Sequence, residues 1–93
     1  MAVGMDFSLL GPLTVRVDGV VVPIPKGKQR ALLAALLLDA GRTVAADQLA
    51  DLLWGPALPP SAAITLQNYV KRLRQAFGTG RNRITTQPGG YLI

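Results

Sequence analysis

Leu13-Thr14-Val15-Arg16-Val17 alternates apolar and polar residues with a period of two, the repeat of a strand with one buried face. Asp18-Gly19 follows, then Val20-Val21-Val22. A period-two run, an Asp-Gly pair and a β-branched run together predict a hairpin. Phe7 to Leu10 is a further short apolar run, stopped by Gly11-Pro12. Pro23 and Pro25 end the strand region, because proline cannot donate to a ladder. The first quarter is therefore expected to form a small antiparallel sheet, preceded by residues 1–6, which are expected to be disordered.

From Lys28 to Ala40 the pattern turns helical, with Leu32, Leu33, Leu36 and Leu37 repeating at spacings of one, three and four. Leu38 and the alanines make this helix apolar nearly all round, as expected of one covered on several sides. Gly41 supplies a left-handed position after it. Thr43-Val44 predicts one more short strand. Ala46 to Trp54 reads as a second helix, with Leu49, Leu52 and Leu53 as its apolar face and Asp47 in the first turn, where the helix dipole favours an anion. Gly55-Pro56 stops it. After a proline-rich connector, Ser61 is a suitable N-cap for a third helix, Ala62 to Phe77, which Gly78 ends. Ile84-Thr85-Thr86 and Tyr91-Leu92-Ile93 are two β runs around Gln87-Pro88-Gly89-Gly90, a second hairpin. The order is strands, three helices, hairpin, with no internal repeat, and 93 residues make one domain over 1–93 the expectation.

Composition narrows the chemistry. Hydrophobic residues make up 49% of the chain and charged residues 16%, too apolar for a disordered polar segment. The sequence holds no Cys, His or Glu. That excludes disulfides, thiolate metal sites and histidine-based triads. Asp47 and Asp51 share a helix face at i, i+4, but a solvated or capping role suits them better than catalysis. No catalytic residue, metal or cofactor is expected, and the protein is not expected to be an enzyme. The longest apolar stretch, Ala31 to Leu38, is far short of the roughly 20 residues of a transmembrane helix, and no signal-peptide core opens the chain. A cytoplasmic, nucleoid-associated location is expected, with no membrane partner.

Charge is distributed unevenly. Within residues 1–60, Arg16, Lys26, Lys28, Arg30 and Arg42 cancel the five aspartates. Residues 61–93 hold Lys71, Arg72, Arg74, Arg81 and Arg83 and no acid, so the whole net charge of +5 sits in the last third. A patch of one sign points to a polyanion, either nucleic acid or an acidic membrane surface.

On a helical wheel at about 100° per residue, Ala62, Leu66, Tyr69, Val70, Leu73, Ala76 and Phe77 of the third helix share one apolar arc. Thr65, Gln67, Asn68, Lys71, Arg72 and Gln75 fall on the other side, and Arg74 lies near the boundary. Ile64 is the one large apolar residue on the outer face. Such a face suits a major groove. Lys and Arg neutralise phosphates, Arg clamps guanine, Asn and Gln pair with adenine, and Ile64 can pack on a thymine methyl. A solvated face on a core helix accounts for the same wheel. A membrane-surface helix would need its apolar face free, whereas that face is required to pack the first two helices. A hairpin directly after the basic helix makes the layout of a winged helix. Arg81 and Arg83 flank it, and Thr85, Thr86 and Gln87 are placed to touch backbone or groove edges. A hairpin that only closes a sheet edge is the plainer alternative.

Leu9-Leu10-Gly11-Pro12-Leu13, Lys28-Gln29-Arg30-Ala31-Leu32-Leu33-Ala34-Ala35-Leu36-Leu37, Leu53-Trp54-Gly55, Leu66 to Gly78 and Gly90-Tyr91-Leu92 carry a family resemblance. From Phe7 to Ile93 the chain resembles the actinobacterial antibiotic-pathway regulators (the SARP family), whose N-terminal domain is an OmpR-type winged helix. The fold so implied is α+β, a winged helix-turn-helix with an N-terminal antiparallel sheet, three helices and a C-terminal β-hairpin wing. The function implied is sequence-specific binding of double-stranded DNA and activation of secondary-metabolite and antibiotic biosynthesis genes. Members bind direct repeats near the −35 region, associate in tandem on DNA and recruit RNA polymerase through its sigma or alpha subunits.

Carried across by motif, Gln67, Asn68 and Arg72 fall where base edges are read. Thr65, Tyr69, Lys71 and Arg74 fall where phosphates are held, and Trp54, Thr86 and Tyr91 match positions that approach the DNA backbone. The loop Gly55, Pro56, Ala57, Leu58, Pro59 and Pro60 corresponds to the polymerase-facing segment. Trp54 and Tyr91 are also core candidates, and Lys26, Lys28 and Arg30 are either solvated or backbone contacts. The sequence departs from the pattern in its hairpin tip, Gln87-Pro88-Gly89-Gly90, which lacks a cation for the minor groove, leaving Arg81 or Arg83 to substitute. Ala45 and Ala46 stand where a Ser or Thr cap is common. The family continues into a helical activation domain, so the chain is expected to be the isolated DNA-binding domain, with no receiver-domain phosphorylation site. The alternative function is a protein-interaction module whose basic helix docks an acidic partner without DNA sequence preference.

Overall fold

The alternating run becomes the central strand of the first sheet. The computed structural model describes residues 4–8, 13–24 and 27–93. Strand β1 (Met5–Ser8) pairs antiparallel with β2 (Thr14–Val17), which pairs with β3 (Val20–Val22). Asp18 and Gly19 both adopt positive φ, 51° and 81°, as a tight two-residue hairpin requires. Val15 is fully buried, and Phe7, in register with it, sets its ring edge-on against Phe77 at 5.9 Å. Order begins earlier than expected. Met5 and Asp6 belong to β1, and the Gly4 amide donates to Asp18 Oδ1 at 3.0 Å. Pairing with β2 supplies partners that a free terminus would lack. The stop at Gly11-Pro12, with Pro25 and Lys26, lies outside the described residues, as do residues 1–3.

Helix α1 runs Lys28–Leu38, two residues shorter than its pattern. Its end tightens into i→i−3 bonds, Asp39 to Leu36 and Ala40 to Leu37, and Gly41 then turns left-handed at φ 84°. Leu32, Leu33 and Leu36 are fully buried, but Leu38 is exposed, so α1 is not covered all round. The two-residue β4 (Val44–Ala45) leads straight into α2 (Ala46–Trp54). There Leu49 and Leu53 are buried and Leu52, expected on the apolar face, is exposed. Leu49 and Leu53 stand one turn apart on one side, while Leu52 points about 100° away from Leu53.

Helix α3 spans Ala62–Phe77 and buries Ala62, Leu66, Val70, Leu73 and Phe77, a strict i+3/i+4 stripe. The Ser61 side chain does not cap it. Ser61 is at φ −93°, ψ 18°, away from the extended conformation that a capping side chain needs. Backbone bonds from Ala62 to Pro59 and from Thr65 to Ser61 start the helix instead.

After α3, Gly78–Arg83 forms a short 3-10 segment. The wing follows as β5 (Thr85–Gln87) and β6 (Gly90–Leu92) around Pro88-Gly89, with β6 between β5 and β4. Ile84, expected in the strand, lies just before it and is buried. Tyr91 faces Val44 on one side and Thr86 on the other, joining the wing to the core. The wing is sewn down at both ends, its turn by Ala46 N donating to Gly89 O at 2.9 Å and its open end by Gly41 N donating to Ile93 O at 2.8 Å. These elements, in this order, make the winged helix that the sequence implies.

Gly90 is where β6 crosses β4 with no room for a side chain, since a Cβ there would collide with the Val44 carbonyl oxygen. Gly90→Ala is expected to destabilise the domain by about 1–3 kcal/mol, the usual range for overpacking. Urea unfolding checks this, with a lower midpoint at an unchanged slope. A wild-type midpoint would show that the crossing is looser than it looks.

Candidate nucleic-acid interface

The buried stripe of α3 decides what its other side offers. Ile64, Gln67, Asn68, Lys71, Arg72 and Gln75 are all exposed, and Thr65, Tyr69 and Arg74 are half-buried along the margins. The outer face is therefore about 24 Å of helix carrying cations, amides and one isoleucine, with no acid. Beyond its C-terminal end an open cleft is lined by Arg74, Gln75, Thr79, Arg81 and Asn82. This cleft carries the acid-free surface from the helix toward the wing. Arg81 and Arg83 are both exposed. Thr79 and Asn82 were missed by sequence reasoning, and their only signal was polarity immediately after a basic helix.

Among the described residues, three cations donate hydrogen bonds within the protein. Lys28 Nζ donates to the Leu53 carbonyl at 2.9 Å and sits 5.9 Å from the centre of the Trp54 ring. It thus caps the C-terminal end of α2, where the helix dipole favours a cation. Trp54 in turn stacks on Tyr69, with centroids 6.1 Å apart and planes 18° apart. This column of ammonium, indole and phenol connects the start of α1, the end of α2 and the middle of α3. Sequence pattern predicts only a solvated or DNA-facing role for Lys28. The second cation, Arg30, donates from Nη2 to the Ile24 carbonyl at 2.6 Å. The third is Arg74. It was expected on a phosphate, but its Nε donates to the Ile84 carbonyl and its Nη2 to Thr86 Oγ1, both at 3.0 Å.

Tyr91 was given two roles, core anchor and backbone contact. It packs into the core cluster at 7% exposure. At the wing tip Gln87 Nε2 donates to Thr85 Oγ1 at 3.0 Å, so both threonine hydroxyls of β5 act as acceptors. The loop after α2 begins with Gly55 at φ 56° and a 3-10 turn, Gly55–Ala57. Leu58, Pro59 and Pro60 then border a shallow groove against Ala46, Asp47 and Ala50 of α2 and Ala62 of α3, and Leu58 remains exposed. Among the described residues no cluster of side chains could hold a metal ion, and no helix is long and apolar enough to cross a membrane.

Residues 24–93 match the family model described as "Transcriptional regulatory protein, C terminal". This chain belongs to that family. It is 40% identical over 89 residues to the regulatory protein AfsR of Streptomyces coelicolor, a match covering 96% of this chain and 9% of AfsR. It is 35% identical over 99 residues to the regulatory protein DnrI of Streptomyces peucetius, covering 96% of this chain and 36% of DnrI. The solved structure of Mycobacterium tuberculosis EmbR in complex with a low affinity phosphopeptide superposes with a TM-score of 0.90 at 36% identity. That match covers 99% of this chain and 25% of the EmbR chain. The chain thus spans roughly a tenth to a third of these relatives, which are SARP-type regulators. The family is one of DNA-binding transcriptional regulators with an OmpR-type winged helix, not of enzymes.

Lys28→Met keeps the aliphatic stem but removes the helix cap and the cation over Trp54. A loss of about 0.5–1 kcal/mol is expected, read as a lower melting temperature. An unchanged melting temperature would remove Lys28 from the energetics of the α1–α2 junction.

Proposed function

We propose that this domain binds double-stranded DNA sequence-specifically, with α3 in the major groove and the β5–β6 wing on the flanking backbone. The observation that carries this reading is the outer face of α3, exposed, acid-free and mixed in cations and amides, and held rigid by a fully buried opposite side. Arg72, Gln67 and Asn68 read base edges, with Ile64 against a thymine methyl. Lys71, Thr65, Tyr69, Trp54, Arg81, Arg83 and Thr86 approach phosphates. The regulator it serves is a cytoplasmic, nucleoid-associated activator of secondary-metabolite genes, a reading supported by the likeness to AfsR and DnrI. It occupies direct repeats near promoters as tandem copies. The exposed Leu58 and the prolines of the Gly55–Pro60 loop face RNA polymerase.

Selection from a random duplex library at physiological salt tests the reading. The expected outcome is an enriched direct repeat with half-sites about one helical turn apart. A pool that binds only at low salt without enrichment would overturn sequence specificity. No duplex binding at all would favour docking of an acidic protein. On the selected site, Arg72→Ala is expected to cost about 1–3 kcal/mol and to relax discrimination at one base pair. Lys71→Ala is expected to weaken all duplexes alike and to lower the slope of log K against log salt by about one. Equal losses on selected and random DNA for Arg72→Ala would refute its base-reading role.

A further inference from the structure

Arg74 is placed for a task other than direct phosphate contact. The covalent route from α3 to β5 is the short segment Gly78–Arg83, which contains Gly78 and Gly80. The Arg74 guanidinium bypasses that route with two bonds, to the Ile84 carbonyl just before β5 and to Thr86 Oγ1 within it. A planar fork of donors can meet two acceptors at once, whereas a lysine ammonium is a single point charge on a flexible stem. Thr86 stands opposite Tyr91, which stands opposite Val44, so its side chain shares their sheet face, but on the outer strand β5, where it stays exposed. That placement is what brings the hydroxyl within reach of α3.

We infer that Arg74 is a positioning residue for the DNA-binding wing, fixing β5 against α3 and presenting the Thr86 hydroxyl as a donor to a DNA phosphate. The inference rests on the DNA-binding reading above. A hydroxyl has one proton and two lone pairs. Because Thr86 Oγ1 accepts from Arg74, its own proton remains to be donated outward, and Thr86 is exposed. Donation from a charged group polarises the hydroxyl and strengthens its outgoing bond. Arg74 therefore acts on the phosphate through Thr86, and it sets the spacing between the wing contact and the bases under α3.

The test uses Arg74→Lys, Thr86→Val, Thr86→Ser and the double variant Arg74→Lys/Thr86→Val, on a duplex carrying the selected site and in the free protein. Arg74→Lys keeps the charge but not the fork. It is expected to weaken binding roughly three- to tenfold, the scale of one or two net hydrogen bonds. The salt slope is expected to stay unchanged, and hydroxyl-radical protection beside the wing to fade while protection under α3 persists. Thr86→Val behaves alike, Thr86→Ser retains binding, and the double variant binds no worse than the weaker single variant. In the free protein, residual dipolar couplings of β5 in Arg74→Lys no longer fit one rigid body with α3, whereas those of β6, held by β4 and the buried Tyr91, still do.

Wild-type binding by Arg74→Lys, with Arg74→Ala losing about one unit of salt slope, would overturn the inference and return Arg74 to direct phosphate contact. Additive losses in the double variant would also overturn it. If the unsubstituted chain bound no duplex, the DNA-binding reading would fail and take the phosphate role of Thr86 with it. The dipolar couplings would then decide the positioning role alone, unchanged β5 couplings in Arg74→Lys refuting it.

Discussion

Leu66, Val70, Leu73 and Phe77 fix the rotation of α3 about its own axis, and every outward side chain takes its direction from that rotation. Each buried large apolar side chain is worth about 1.5–3 kcal/mol. Nothing on the polar side offers a comparable gain. A one-residue slip would turn the helix by about 100° and put Lys71 and Gln67 into the core. The core thus selects the one orientation in which Gln67, Asn68, Lys71 and Arg72 face away from it together. Recognition chemistry on this scaffold is a by-product of packing geometry, and the apolar side of α3 is as much a part of the interface as the polar side.

Cations divide by what surrounds them. Lys28, Arg30 and Arg74 each donate to backbone carbonyls, and two of them tie separate helices or strands together. Lys71, Arg72, Arg81 and Arg83 are exposed on α3 or just after it. The charge count over the last third of the chain therefore overstates the charge facing outward, because Arg74 is turned toward the wing. Backbone carbonyls at strand starts and helix ends are ready acceptors, and a long cationic side chain near one is drawn to it as readily as to a phosphate.

Much of the architecture was legible. The bounds of α2 and α3 follow from Gly55 and Gly78, each at φ 56° just past the last helical residue, and Asp18-Gly19 marks its hairpin by its two positive φ values. The stripe and face of α3 followed from periodicity alone. Periodicity does not say how wide a neighbour is, so Leu38 and Leu52 were assigned to cover that the fold does not provide. Nor does it report contacts far apart in sequence. The pairing of Lys28 with Leu53 and of Arg74 with Thr86 depends on the angles at which elements meet, and no local spacing encodes those angles. Ser61 shows the same limit at short range, since its residue type favours a cap that its backbone, at φ −93° and ψ 18°, does not provide.

The indole of Trp54, the sole tryptophan of the chain, lies against both the Lys28 ammonium and the Tyr69 ring where α2 meets α3. Indole emission depends on the charge and the π-surface beside it, and both neighbours here belong to other helices. Any change in the angle between α2 and α3 alters that surrounding before it alters secondary structure. The domain therefore contains its own optical gauge of the geometry on which base reading relies, needing no label and sensitive to strain that circular dichroism would pass over.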